Sequence, residues 1–565
     1  MRSTVEARAA APGSASSAGR PASVHAASCR AVVLQVLALI GATAVTPTLY
    51  AQRTTPPGVE RPSVASLTAG GEEERYLRLM QLAGAAKPYP WSLRGLSPSE
   101  VGRLEASDSA HPWSAHVAFG VGRTGAVRMH PLPVSLQTWY NSAFPYGGND
   151  GAVWVGRGAT VAAGAGMAVY GRHWSATLAP VVFWAENRAF DLASTGVEGV
   201  GAFRDPDSPG TIDLPQRFGG GSYARLDPGQ STLRLDLPWL SLGVSTANQY
   251  WGPAQHHPLL LGNNAAGFPH LFLGTAAPVN VGFGHVHARM SWGTLDQSAY
   301  SPMIGPGERR FTAGAVAVLI PRGLSGLELG AARFFHTAWP EDGLTLSDFL
   351  KPYEGLLKSG VAGGVDNPDN QLASVFFRWA APTAGFEVYG EYAREDHSWD
   401  LRDFVLEPDH NSGYVLGFQR LWSASASRWV ALRGEILNTR VSHLARVRPQ
   451  APFYVHTYRL QGHTQRGQLL GSPAGYGGAA GVVGVDVLDA SGRWSLAWQR
   501  QRRRPAPPLG EPRPADVLQA LTLERLHLRN PLRWKASFGS VVDLNRDYAG
   551  DVFNLNAELS VQWTP

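Results

Sequence analysis

Beyond Val45 the chain has no apolar run of the roughly 18 residues that a membrane-crossing helix needs. It is short of charge: 16% of its residues are Asp, Glu, Lys or Arg, against about 25% in a typical soluble domain. It has one cysteine, Cys29, which precedes the early apolar run rather than following it. These shortages exclude a helical membrane protein, a disulfide-stapled fold and a lipid-modified cysteine after the leader. Net charge is also small. Of the total +5, residues 1–51 carry Arg2, Arg8, Arg20 and Arg30 against Glu6, or +3, which leaves 5 − 3 = +2 for the rest. No nucleic-acid partner is expected from that balance.

What the chain does have is glycine (64), aromatics (10%) and 18 tryptophans. Its N-terminus reads as an export signal, with arginines ahead of "AVVLQVLALIGATAV" and small residues at the ends of "ATA" and "LYA". Residues 1–51 are therefore expected to be a signal peptide, cleaved after Ala51. Residues 52–110 read as a linker followed by a small helical element. "GGEEERYLRLMQLAG" puts three glutamates in a first turn and Gly84 at the stop. "SPSEVGRLEA" offers Ser97, Pro98 and Glu100 as a capping box.

From residue 111 to residue 565 the period becomes two. Trp113, Ala115, Val117 and Phe119 alternate with polar residues, as do Leu233, Leu235, Leu237 and Trp239 against Arg234 and Asp236. Val286, Ala288, Met290 and Trp292 oppose His285, His287, Arg289 and Ser291. Phe386, Val388, Gly390 and Tyr392 oppose Glu387, Tyr389 and Glu391; Val430, Leu432, Gly434 and Ile436 oppose Arg433 and Glu435. Alternation makes one face apolar and the other polar. Unlike charges on the polar face suit a lined lumen, and tryptophan and tyrosine near strand ends suit interfacial girdles. The expected fold is an all-β transmembrane barrel in the outer membrane, in contact with lipid. "VFNLNAELSVQW" near the C-terminus resembles the final strand read by barrel-assembly machinery. The arginines of "WQRQRRR", ahead of the Pro-rich 502–515 stretch, read as a solvated barrel rim.

The segment "NQYWGPAQHHPLLLGNNAAGFPH" gathers rings and amides with no repeat. Sugars present hydroxyl groups, which amides, carboxylates and guanidinium groups bind, and apolar C–H faces, which aromatic rings cover. Candidate polysaccharide-binding residues are Asn248, Gln249, Tyr250, Trp251, Asn263 and Asn264. Asn149 and Asp150 in "PYGGNDG" join them, with His463 and Arg466 in "GHTQRGQ". The competing reading for every one of these is structural: an inward loop pinned to the wall, turn asparagines, or loop anchors. Glu391 and Glu435 could form a hydrolytic pair at suitable separation; ion pairing with Arg433 or Arg394 is the expectation. His285 and His287 share a strand face but bring no third ligand, so no metal or other cofactor is expected. "GVGRTG" (Gly120 to Gly125) lacks a following helix and reads as a turn.

"NSAFPYGGNDGAVWVGRG", the segment from Asn248 to His270, "GFEVYGEYAREDH", "GHTQRGQLLGSPAGYGG" and "NRDYAGDVFNLNAELSVQW" together resemble, in order, blocks of the Wzi family of capsule-assembly outer-membrane proteins. The resemblance covers most of residues 74–563. It implies a monomeric barrel of about 18 antiparallel strands with a periplasmic helical element. It also implies a lectin-like role: retaining capsular or other exported polysaccharide on the cell, without catalysis. Gln249-Tyr250 ahead of Trp251, and the Pro-rich 502–515 stretch, depart from the family pattern. A channel and a glycan-modifying hydrolase are the alternatives.

Overall fold

The computed structural model describes residues 63–64, 67–104, 111–119, 127–305, 308–355, 369–395, 400–425, 427–442, 448, 450–504 and 515–565. The expected signal peptide, Cys29, "GVGRTG" and most of the Pro-rich stretch lie outside them. Twenty-one strand segments close into one antiparallel barrel of 18 staves, three of which are interrupted. In chain order they are β1 (Arg128–Asn141), β2 (Gly158–Tyr170), β3 (Trp174–Leu178 with Val181–Ala185), β4 (Tyr223–Asp227 with Thr232–Asp236), β5 (Leu240–Ser245) and β6 (His270–Thr275 with Val279–Asn280). Then come β7 (Gly284–Leu295), β8 (Arg310–Pro321), β9 (Leu327–Ala338), β10 (Asn370–Ala381), β11 (Phe386–Glu395) and β12 (Ser412–Ser425). The circuit ends with β13 (Arg428–Asn438), β14 (Ala479–Asp489), β15 (Gly492–Arg502), β16 (Val517–Arg529), β17 (Leu532–Arg546) and β18 (Gly550–Trp563). Closure pairs β18 with β1, from Asn556↔Asn141 to Trp563↔Val134.

The period-two residues divide as the sequence pattern predicts. On β18 Asn554, Asn556 and Ser560 are buried, while Phe553 and Leu559 are exposed. Leu233, Val375, Leu521 and Phe538 stand outward from β4, β10, β16 and β17, each more than half exposed. A continuous apolar belt of that kind is not tolerated on a soluble monomer; in a bilayer it is the lipid-facing wall. No helix of the described residues is long and apolar enough to cross a membrane. Closure leaves no strand edge, so the wall's backbone groups are paired within the barrel.

The helical element packs at the end where the strands are joined by short turns, which in such barrels is the periplasmic end. Helix α1 (Glu72–Leu82) stops at Gly84, φ +70°, as expected, and Ala85 N–H donates back to Met80 O at 2.8 Å. Helix α2 spans only Pro98–Val101, with the expected Ser97–Glu100 capping box. The stretch from Trp113 is not a wall strand, contrary to its alternation. Trp113 stacks on Tyr76 of α1 at 3.9 Å, and Ala118–Phe119 pairs in parallel with Ser63–Val64. Trp113 and Val117 are buried while Ala115 between them is exposed, because the segment turns here instead of extending.

At the opposite end the connections are long. Residues 246–269 and 450–478 fold inward, and their apolar side chains meet the inner wall in one core around Trp251, Leu259, Phe334, Phe453, Tyr454 and Leu470. Two other connections fold outward over the wall: α3 (Leu346–Leu350) follows β9 and α4 (Leu401–Leu406) follows β11.

Candidate functional site

The lumen is held from below by ion pairs between the helical element and the wall. Arg78 of α1 meets Glu387 of β11 at 2.5 Å; Glu387 meets Arg378 of β10 at 2.5 Å; Arg378 meets Glu328 of β9 at 2.5 Å. Glu328 also accepts the backbone N–H groups of Trp91 and Ser92. Arg75 pairs with Asp486 at 2.5 Å, Glu72 with Arg493 at 3.0 Å, and Glu73 with Arg533. Glu72 and Glu73 thus engage the wall as well as the helix N-terminus, while Glu74 pairs with Arg94 at 3.6 Å within the helical element. Desolvation works against Glu72, yet the Arg493 guanidinium and neighbouring cations hold its carboxyl down to about 2.

The inward segment rests on that base. Tyr250–Trp251 pairs with Leu93–Arg94, and the Arg94 guanidinium lies 3.4 Å from the centre of the Tyr250 ring. Trp251 and Tyr250 are fully buried, and Trp251 meets Phe334 edge-on at 6.0 Å. Glu435 accepts the successive N–H groups of Gln255, His256 and His257 at 2.6, 3.0 and 2.6 Å, and the Tyr389 hydroxyl at 2.6 Å. The expected pairing of Glu435 or Glu391 with Arg433 or Arg394 does not occur. Arg433 pairs with Asp486, and Arg394 faces outward against Phe404. A carboxylate that captures three amides in a row is satisfied without an arginine.

The remaining candidate residues are all tied into the same plug. Asn248 donates to Gly262 O and Ala265 O at 3.0 and 2.8 Å, and Gln249 bridges His270 and Arg289. Asn263 donates to Asn149 O at 3.1 Å and Asn264 to Leu469 O at 2.9 Å. Asn149 sits at φ +62° and donates to His256 O at 3.0 Å. His463 meets Leu260 O at 2.6 Å and stacks on Tyr454. Arg466, at φ +50°, pairs with Asp296 at 2.8 Å and Asp227 at 3.0 Å. His287 approaches Glu100 at 3.2 Å, while His285 stands exposed; among the described residues no cluster of three potential metal ligands occurs.

Above the plug, on the side of the long connections, lies an open cavity of about 270 Å³. Asp150 and Asn264 of the candidate set line it, with Trp154, Gln216, Gln468 and Tyr476. Its rim is charged: Arg504 pairs with Asp207 and, at 3.0 Å, Asp547; Arg503 and Arg546 share Asp543 at 2.6 and 2.7 Å. Of the "RQRRR" arginines, Arg503 and Arg504 are therefore ion-paired with aspartates rather than merely solvated. Burial raises Asp150 to about 7, with Glu558 adding to it. Burial also raises Asp205 to about 6 and Asp516 to about 6, the latter helped by Asp543. The mouth thus offers three carboxyls raised by burial, guanidinium groups, amides and an indole around one opening.

Sequence reasoning missed Trp154, Gln468 and Tyr476 as lining residues, although two of the quoted blocks contain them. Nothing in the sequence marked Asp205 and Asp207.

The family model "Capsule assembly protein Wzi" matches residues 145–530. Among solved structures, the chain is similar to the Escherichia coli outer-membrane protein Wzi, described as a carbohydrate-binding β-barrel involved in group 1 capsule assembly. The TM-score is 0.60 and identity 15%, over 89% of this chain and all (100%) of that one. OccK5 (OpdH) of Pseudomonas aeruginosa aligns at TM-score 0.36 and 10% identity, over 77% of this chain and 98% of that one. A BenF-like porin of Pseudomonas fluorescens Pf-5 aligns at 0.37 and 9%, over 77% and 99%. Neither of these two carries an argument about function. No curated protein matches.

Proposed function

Since the chain belongs to the Wzi family of capsule-assembly proteins, we propose that the mouth cavity binds exported or capsular polysaccharide and retains it at the cell surface. The protein is an outer-membrane barrel of that family. The observation that carries the binding site is the cavity itself. There an indole, amides and both signs of charge converge on the outer side of a filled lumen. Trp154 supplies a platform for a sugar face; Asn264, Gln468 and Gln216 supply hydroxyl partners. Arg503, Arg504 and Asp207 recognise charged or hydroxylated positions. Each contact is weak, and many repeats along one glycan strengthen it.

Of the ten candidate residues, Asp150 and Asn264 are proposed to touch glycan. Asn149, Asn248, Gln249, Tyr250, Trp251, Asn263, His463 and Arg466 are proposed to hold the surface that does. No catalytic step is proposed: Glu435 is committed to three backbone amides, and the plug core separates it from the mouth. The filled lumen argues equally against an open channel.

The test is surface-glycan retention in a deletion strain. Wild type restores it; Trp154→Ala with Gln468→Ala, at equal membrane level, does not. Full retention by that double variant would sink the proposed site, and large steady conductance in a planar bilayer would sink the filled-lumen reading.

A further inference from the structure

The outward-folded connection after β9 builds something that lumen binding does not use. The indole N–H of Trp292, outward on β7, donates to Phe349 O of α3 at 2.8 Å, and the two rings lie 5.9 Å apart. Phe349 also meets Phe311 edge-on at 5.8 Å. Arg333, outward on β9, donates to Glu354 O at 2.5 Å and Gly355 O at 3.1 Å, and so clamps the end of this connection to the wall. Phe349 is thereby fixed as an overhang on the outer surface of the barrel.

Beside it is a cavity of about 610 Å³, within the range of about 300–1,000 Å³ typical of small-ligand sites. Its lining is apolar, from Leu235, Leu242, Val244, Leu271, Trp292 and Phe349. The one charged lining residue, Arg234, is turned to the lumen, where it meets Glu100 at 3.3 Å and Asp236 at 2.8 Å. Val244 and Leu271 are 46% and 52% exposed and belong to the lipid-facing belt. The groove is therefore continuous with the wall's interface with the bilayer. Its overhang comes from a long connection, which places it on the outer-leaflet side. At the same rim Arg309 lies 4.3 Å from the ring centre of Trp339, itself in contact with Phe311.

We propose that this groove seats an acyl chain of an outer-leaflet phosphorylated glycolipid beneath Phe349, with Arg309 facing the headgroup. A flat stretch of wall offers a lipid chain one side only. Here a floor spanning staves β3 to β7 and an aromatic overhang enclose it, so one lipid is held more tightly than its neighbours in the annulus.

Native mass spectrometry of the full barrel, extracted from its own membrane in mild detergent, tests this. Wild type retains one glycolipid adduct through detergent washing. Val244→Trp with Leu271→Trp fills the groove and lowers the retained fraction at least tenfold. Phe349→Ala, which lies outside the wall, lowers it severalfold. Leu521→Trp, outward on β16, leaves it unchanged. A wild type without an adduct, an adduct of phospholipid mass only, or equal retention by Phe349→Ala and wild type would overturn the proposal.

Discussion

The two ends of the lumen use charge in opposite ways. At the periplasmic end Arg78, Glu387, Arg378 and Glu328 form a chain in which every member is buried and every link is 2.5 Å. At the outer mouth, Arg503, Arg504, Asp207 and Asp547 are paired but partly exposed, around an open cavity. Ions buried without water are costly unless each is satisfied, so the lower set can do little but hold the plug. The upper set keeps access to solvent, and a hydroxylated ligand can replace water at its unused lone pairs and protons. Similar residue types therefore serve as a clamp below and as a recognition surface above.

The contrast is broken most severely from below. Glu387→Ala leaves Arg78 and Arg378 buried without their shared carboxylate, and such a removal costs about 3–5 kcal/mol. The expected outcome is a large drop in the denaturant midpoint of the refolded barrel, with the helical element released to protease; an unchanged midpoint would remove the clamp. Trp251→Ala comes next. Its ring is fully buried against Phe334 and against Gly314, where even a Cβ would come within 2.6 Å of it. Truncating a residue so enclosed costs about 3–5 kcal/mol at full burial. Some collapse of the lumen loops should place the measured loss at the lower end. If glycan retention also falls, it should recover in step with stability when temperature is lowered.

How much of this could be read beforehand follows from the range of each interaction. Wall residues obey a rule of two positions, so Glu387, Arg433 and Leu559 could be assigned a face from their neighbours alone. The clamp could not be read, because Arg78 and Glu387 are 309 residues apart and no local pattern couples them. The rings and amides from Asn248 to Asn264 were visible as a cluster. Their partners, such as Leu469 O for Asn264, come from another inward loop, and an aperiodic loop carries no register. Trp113 misled because apolar residues two apart need not share a face: in the turn, Trp113 and Val117 are buried and Ala115 is exposed. The mouth was half legible: Asp150 and Asn264 stood out by type, while nothing in the sequence marked Asp205.

From above, the comparison sharpens through smaller effects. Arg504→Ala removes a rim cation whose pairs with Asp207 and Asp547 are water-accessible, and exposed pairs are worth about 0–1 kcal/mol. Barrel stability should barely move while surface glycan retention falls, the reverse of the Glu387→Ala outcome. A midpoint shift as large as that of Glu387→Ala would erase the distinction between the two ends.

The smallest effect is one of pH. Burial raises the Asp205 carboxyl to about 6, above the roughly 3.9 of an unfolded aspartate. The folded state therefore binds its proton more tightly than the unfolded state does. That preference favours folding below about pH 4 and is lost as pH rises through about 6, after which the charged form carries the penalty. A shift of about 2 units caps the change at about 3 kcal/mol. Relaxation at an open mouth should bring it lower, because water can reach the ionised group. Asp205→Asn keeps an oxygen for the N–H groups of Asp207 and Ser208, which the carboxylate accepts at 2.9 and 2.8 Å, and cannot ionise. Unfolding midpoints of this variant and wild type should lie closest at about pH 3 and diverge by pH 8, with the variant higher. A wild type that gains on the variant as pH rises would mean that the Asp205 charge is stabilised at the mouth, and the two ends would then differ in exposure but not in the state of their carboxyls.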